Sequence, residues 1–130
     1  MRYLLDTHTL AWAVGDPSLL GSNARQLLQD ANNELLVSPA SIWEMSIKHR
    51  AGHWPEVAPF LDEERFNYFR QQLGFQELVV RIPHTRLAGG FPGNHKDPFD
   101  RLLAAQALLE GVPLISKDPQ LDQFAIAREW

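Results

Sequence analysis

Leu35-Leu36-Val37-Ser38-Pro39-Ala40-Ser41-Ile42-Trp43-Glu44 is the stretch that decides the architecture. Its first three residues are an unbroken apolar run, the mark of a strand covered on both faces. Ser38 then supplies a helix cap and Pro39 suits the first helical position, so a helix is expected from there to about His49, stopped by Ala51-Gly52. The same strand-then-helix grammar repeats on either side. Residues 2–5 read as a short apolar strand ending at Asp6, and residues 8–14 as a helical turn broken by Gly15-Asp16-Pro17. Residues 18–30 and 56–72 read as helices, the second rich in aromatics and ending at Gly74. Residues 78–82 read as the third strand and 89–96 as a glycine-rich loop. Asp97-Pro98 opens the strongest helix, 98–110, closed by Gly111. Residues 113–116 read as the fourth strand, and Ile126-Ala127 as a short last one. The alternation predicts a single α/β domain with a central parallel sheet of four to five strands, flanked by helices on both faces.

Composition narrows the class. The chain has 130 residues, 45% hydrophobic and 22% charged, enough to bury a core within one domain. No apolar run approaches the ~18 residues of a membrane span, and Asp6 cuts the apolar start at once, so neither a membrane anchor nor a signal peptide is expected. The absence of cysteine removes disulfides and thiolate metal sites and suits a cytoplasmic protein. A net charge of −4 argues against nucleic-acid binding when taken alone. Two bound divalent cations would cancel it.

In parallel α/β sheets, ligands bind outside the carboxyl ends of the strands, and that rule selects the acids worth reading. Asp6 follows the first strand, and Glu44 lies in the helix after the second, close to Ala40 and Ile47 on its face. Asp97 and Asp100 flank Pro98-Phe99, and Asp118 follows the fourth strand through Ser116-Lys117. Each has a plainer use. Asp6, Asp97 and Asp118 can each cap the helical segment after it, Asp100 suits the positive end of a helix, and Glu44 could lie on an exposed rim. Together, though, four separate segments each bring carboxylate to one end of the sheet. Such a cluster repels itself unless a cation is present. Oxygen donors without cysteine favour Mg²⁺, or Mn²⁺, in one or two ions, and the chemistry such a site supports is phosphodiester hydrolysis.

Four blocks carry a resemblance: Leu4-Leu5-Asp6-Thr7-His8, Ser38 through Glu44, His95-Lys96-Asp97-Pro98-Phe99-Asp100-Arg101, and Leu114-Ile115-Ser116-Lys117-Asp118. In order and spacing they resemble the PIN domain and, more narrowly, the VapC-type toxins of bacterial toxin–antitoxin pairs, over nearly the whole chain. The resemblance implies a Mg²⁺-dependent endoribonuclease, a homodimer, and inhibition by a cognate antitoxin bound helix-in-groove. It sets the family's four acids on Asp6, Glu44, Asp100 and Asp118. Asp97 belongs to a variant of the third block, leaving open whether Asp97 or Asp100 is the closer ligand. Ser116 fits the small hydroxyl that often precedes the fourth acid, and Thr7 is expected to support Asp6.

RNA needs cations near these acids, and Lys48, Lys96, Arg101 and Lys117 are the candidates. His95 is either a proton donor or a loop residue. A receiver domain would need adjacent acids early in the chain, and a haloacid-dehalogenase-like phosphatase would need Asp at position 8, where His stands. A non-catalytic binding module would not need all five acids.

Overall fold

The computed structural model describes all 130 residues. Five parallel strands form one sheet in the order β3-β2-β1-β4-β5. They are β1 (Arg2–Leu5), β2 (Glu34–Val37), β3 (Phe75–Glu77), β4 (Leu114–Ile115) and β5 (Arg128–Glu129). The helices are α1 (Thr7–Gly15), α2 (Ser22–Gln29), α3 (Pro39–Arg50), α4 (Glu63–Leu73), α5 (Ile82–Gly90) and α6 (Pro98–Glu110). Single 3₁₀ segments occupy Pro17–Leu19, Pro55–Leu61 and Pro119–Phe124.

The continuous apolar runs of β1 and β2 divide between two cores. Tyr3, Leu5, Leu35 and Val37 face Leu10, Ala24, Met45 and Phe60 on one side. Leu4 and Leu36 face Leu103, Ala104, Ala107 and Phe124 on the other. Alternate side chains of a strand point to opposite faces, so a strand apolar throughout has to be covered twice.

Local signals set most boundaries. The Ser38 side chain accepts from the Ala40 amide, and Lys48, His49 and Arg50 sit in the last turn of α3, where cations suit the helix dipole. Gly74 and Gly111 close α4 and α6 in the left-handed conformation, with φ of 71° and 65°.

Five expectations need correction. The helix expected over 18–30 starts only at Ser22, because Pro17–Leu19 forms a 3₁₀ turn capped by Asp16. The helix expected over 56–72 is two pieces, broken where Asp62 caps α4 through the Arg65 amide. The third strand is not 78–82 but Phe75–Glu77. The Leu78 amide makes a last bond to the Val37 carbonyl at 2.8 Å, and the Gln106 side chain then takes the Leu78 carbonyl at 3.2 Å, so the chain leaves the sheet. Ile82 opens α5, which also absorbs Gly89 and Gly90 from the expected loop. The last strand lies two residues further on than Ile126-Ala127.

Candidate active site

The carboxyl ends of β1 and β4 meet where the Asp6 amide donates to the Ile115 carbonyl at 3.0 Å. That bond holds Asp6 and Ser116 side by side. Asp6 is buried, and its carboxylate accepts from Ser116 Oγ at 2.7 Å and from the Thr7 amide at 2.8 Å. Burial raises its pKa despite those hydrogen bonds.

Glu44 is only 3% exposed, so the rim reading fails. Thr7 Oγ1 donates to Glu44 Oε1 at 2.7 Å and lies 3.0 Å from Ser41 Oγ. Lys48 Nζ donates to Glu44 Oε2 at 2.6 Å. Desolvation works against the Lys48 charge, yet the Glu44 bond and the negative charges of Glu44, Asp97 and Asp100 raise its pKa overall. Thr7 therefore supports Glu44 through its hydroxyl and Asp6 through its backbone.

The third corner comes from α6. Asp97 caps it, accepting from the amides of Phe99 at 2.9 Å and Asp100 at 3.3 Å. Asp100 lies a turn inside, and His95 Nε2 stands 2.9 Å from its Oδ2. Burial first, and then the charges of Asp97, Asp6 and Glu44, push the Asp100 pKa up to about 7. Those four acids thus share one electrostatic neighbourhood. Asp118 caps the 3₁₀ segment Pro119–Phe124 through the Gln120 amide at 2.9 Å, and its own amide donates to Ser116 Oγ at 3.1 Å. Its charge also acts on Arg128.

Arg101 differs from its expected role. Its guanidinium donates to the carbonyls of Ala88 at 2.8 Å, His95 at 3.0 Å and Phe91. These bonds tie the end of α5 and the loop before Asp97 to α6, so this cation fixes the loop that carries His95 rather than waiting for phosphate. Lys96 and Lys117 are exposed. Sequence reading missed Ser41, and it gave no hint that His95 and Lys48 would be bound to acids. Neither pairing has a local signal except the four-residue spacing of Glu44 and Lys48 on α3.

In this conformation no three acid or histidine side chains converge tightly enough to hold an ion. Lys48, His95, Ser116 and backbone amides occupy the carboxylates instead. The donor set nevertheless fits a hard divalent cation. It consists of carboxylate oxygens, and two of its members, Asp6 and Asp100, are held away from their ordinary ionisation by burial and crowding.

An acid cluster at the carboxyl edge of a five-stranded parallel sheet, with helices on both sides, defines a class. This chain belongs to the PIN-domain family, whose model matches residues 3–127. It is 31% identical to Ribonuclease VapC22 of Mycobacterium tuberculosis over an alignment covering 91% of this chain and 88% of that protein. The fold superposes on VapBC2 from Rickettsia felis bound to a promoter DNA fragment, with a TM-score of 0.67 at 15% identity, covering 99% of this chain and 98% of that one. It also superposes on VapC20 of Mycobacterium tuberculosis, a sarcin–ricin loop cleaving toxin, with a TM-score of 0.63 at 16% identity over 96% of each chain. VapC nucleases of the PIN family are generally dependent on a divalent metal. No helix of this chain is long and apolar enough to cross a membrane.

Proposed function

We propose that this chain is a metal-dependent endoribonuclease of the cytoplasm, the toxin of a toxin–antitoxin pair, that hydrolyses RNA phosphodiester bonds. The observation that carries the chemistry is the gathering of Asp6, Glu44, Asp97 and Asp100 in one cleft, where burial first and then the neighbouring charges push Asp100 up to about 7. Carboxylates are gathered at such a cost where a cation is to be bound. Asp6 and Asp100 would hold Mg²⁺ or Mn²⁺, as one or two ions, with Asp97 and Asp118 beside them and Glu44 completing the cluster. Bound there, the metal supplies Lewis-acid stabilisation of the charge that develops on the phosphate. Ser116 and Thr7 orient Asp6, and Thr7 also steers Glu44. Lys48, Lys96 and Lys117 lie where they can meet backbone phosphates, and Arg101 serves the loop instead. The identity to Ribonuclease VapC22 supports this reading.

The partners follow the same reading: a cognate antitoxin and a second copy of the chain. A groove of about 510 Å³ runs between α3, the 3₁₀ segment Pro55–Leu61 and α4, lined by Ile42, Trp43, Phe60, Leu61, Phe66 and Phe75 among others. Its apolar walls suit the buried face of an amphipathic antitoxin helix. Neighbours solved as VapBC complexes support such a partner.

The test is cleavage of a mixed RNA pool with Mg²⁺ and with EDTA. Wild type is expected to cleave only with metal, and Asp6→Asn to lose at least about a hundredfold in rate, since a metal's charge stabilisation is worth several kcal/mol. Cleavage by Asp6→Asn at the wild-type rate would sink the assignment.

A further inference from the structure

One cation sits among the acids of the cleft before any metal does. Lys48 is the only lysine or arginine ion-paired to any of the five acids, with its Nζ 2.6 Å from Glu44 Oε2. Arg101 is bound to three carbonyls instead, and Lys96 and Lys117 are exposed. A glutamate and a lysine four residues apart on a helix ordinarily meet on its solvent side, where the pair contributes little. Here one end is buried. Glu44 lies inside the cleft, while the Lys48 side chain is 38% exposed. The other Glu44 oxygen accepts from Thr7 Oγ1 at 2.7 Å, so both of its oxygens are engaged. Lys48 Nζ also lies 5.5 Å from the centroid of the Trp54 ring, which stacks on His8 at 4.6 Å. An aromatic face attracts an ammonium, so Glu44 and Trp54 fix the position of Lys48 together. The charges of Asp97 and Asp100, at the start of α6, act on it as well.

We propose that Lys48 is a built-in counter-cation of the carboxylate cleft: it holds the metal-free acids together and, because its charge stays in place, it opposes the divalent ion and sets how tightly that ion is held. The proposal rests on the metal-dependent reading and adds to it the residue that tunes metal affinity. Carboxylates gathered in one cleft repel each other unless a positive charge is near. In the metal-free cleft the Lys48 ammonium supplies that charge at Glu44. Glu44 is then committed to Lys48 and Thr7, and Asp6 and Asp100 are left for the divalent ion. A unit charge facing a divalent ion across a partly screened cleft changes its affinity about tenfold. A pair that merely stiffened α3 would behave otherwise. Its loss would lower stability and would leave metal affinity unchanged, or weaken it by freeing Glu44 to move.

Mn²⁺ binding to the whole chain, stripped with EDTA and dialysed, is measured by titration calorimetry, and melting temperature is measured in EDTA and in Mn²⁺. Lys48→Met keeps an apolar stem and removes the charge. It is expected to melt about 4 °C or more below wild type in EDTA. It is nevertheless expected to bind Mn²⁺ about tenfold more tightly. The same Mn²⁺ concentration should therefore raise its melting temperature more than it raises that of wild type. Lys48→Arg keeps the charge and should bind Mn²⁺ within about threefold of wild type. Lys48→Gln keeps a donor for Glu44 without the charge, so it carries the test if Lys48→Met misfolds, and the same gain in affinity is expected of it. Unchanged or weaker Mn²⁺ binding in the neutral variants overturns the proposal, because Lys48 would then only orient Glu44 or stiffen α3. So does a Lys48→Met protein as stable as wild type in EDTA. Either failure leaves Mn²⁺ binding by wild type standing. Failure of the metal-dependent reading shows instead as a wild type that takes up no Mn²⁺, and it removes both.

Discussion

The two sides of the carboxylate cleft are built differently. On the Asp6 side the parts are a strand end and a long helix. Asp6, Thr7, Ser41, Glu44 and Ser116 are all buried, and each carboxylate oxygen of Asp6 and Glu44 has a donor. On the Asp100 side the parts are a helix start and a loop. The Asp100 carboxylate has one hydrogen-bond partner, His95, on a segment anchored by the Arg101 guanidinium. The first side is satisfied and rigid. The second carries Asp100, which burial and the neighbouring charges push up to about 7, and its order depends on a single cationic clamp. An incoming cation would find the first set of ligands already oriented and would have to displace His95 or reorient Asp100 on the second.

The largest effect expected from this contrast comes from Thr7→Val. It keeps the shape and removes the hydroxyl that donates to Glu44 Oε1 inside the protein. A buried carboxylate deprived of a donor costs about 1–3 kcal/mol. Urea unfolding should show that loss, with the Glu44 side less ordered. A loss below about 0.5 kcal/mol would mean that water reaches Glu44 and that the Asp6 side is not a sealed unit.

Next comes the pH dependence of the metal-free protein, which probes the other side. The folded pKa of Asp100 is raised to about 7. Between its ordinary value of 3.8 and 7, the folded state holds a proton that the unfolded state has released. Its contribution is therefore fully present below pH ~4 and lost as pH rises toward 7. The difference is on the order of 2 kcal/mol, allowing for the solvent that still reaches the group. Melting temperature in EDTA should fall across that window more steeply for wild type than for Asp100→Asn. Identical slopes would show that the His95 hydrogen bond outweighs burial and the neighbouring acids and keeps Asp100 ionised throughout.

The contrast also explains what could be read from the sequence. Asp6, Asp97, Asp100 and Asp118 were legible because each lies just past a strand or at the start of a helical segment, whereas Glu44, well inside α3, was carried mainly by the resemblance. Most helices were legible for a similar reason: Ser38-Pro39, Asp97-Pro98, Gly74 and Gly111 are local signals. The third strand was not. Leu78-Val79-Val80 has the right composition, yet Val79 is 50% exposed, and the Gln106 side chain, distant in sequence, claims the backbone there. The true strand, Phe75–Glu77, has one buried residue and two exposed, a pattern with little apolar signal. Allocation of cations was equally hidden. Whether Arg101 meets phosphate or the carbonyls of Ala88, Phe91 and His95 depends on where α5 ends, which the misplaced strand obscured. The ring contacts of His8 with Trp12 and Trp54 join α1 to the chain beyond α3, and no pattern within either segment announces them.

The smallest effect on stability is the most useful for the unsettled corner. Asp97 both caps α6 and lies among the acids that act on Asp100 and Lys48. Asn caps a helix about as well as Asp, so Asp97→Asn should preserve the bond to the Phe99 amide and cost no more than a few tenths of a kcal/mol. It removes the charge all the same. If Asp97 serves the metal, the variant should melt near wild type and need at least about tenfold more Mg²⁺ for half-maximal cleavage, a loss of the size seen when support around a bound metal is removed. If Asp97 only caps, both curves should overlay those of wild type. Asp97→Ala then separates the roles from the other direction, because it removes cap and charge together and should add about 1 kcal/mol of instability to whatever the Asn variant loses.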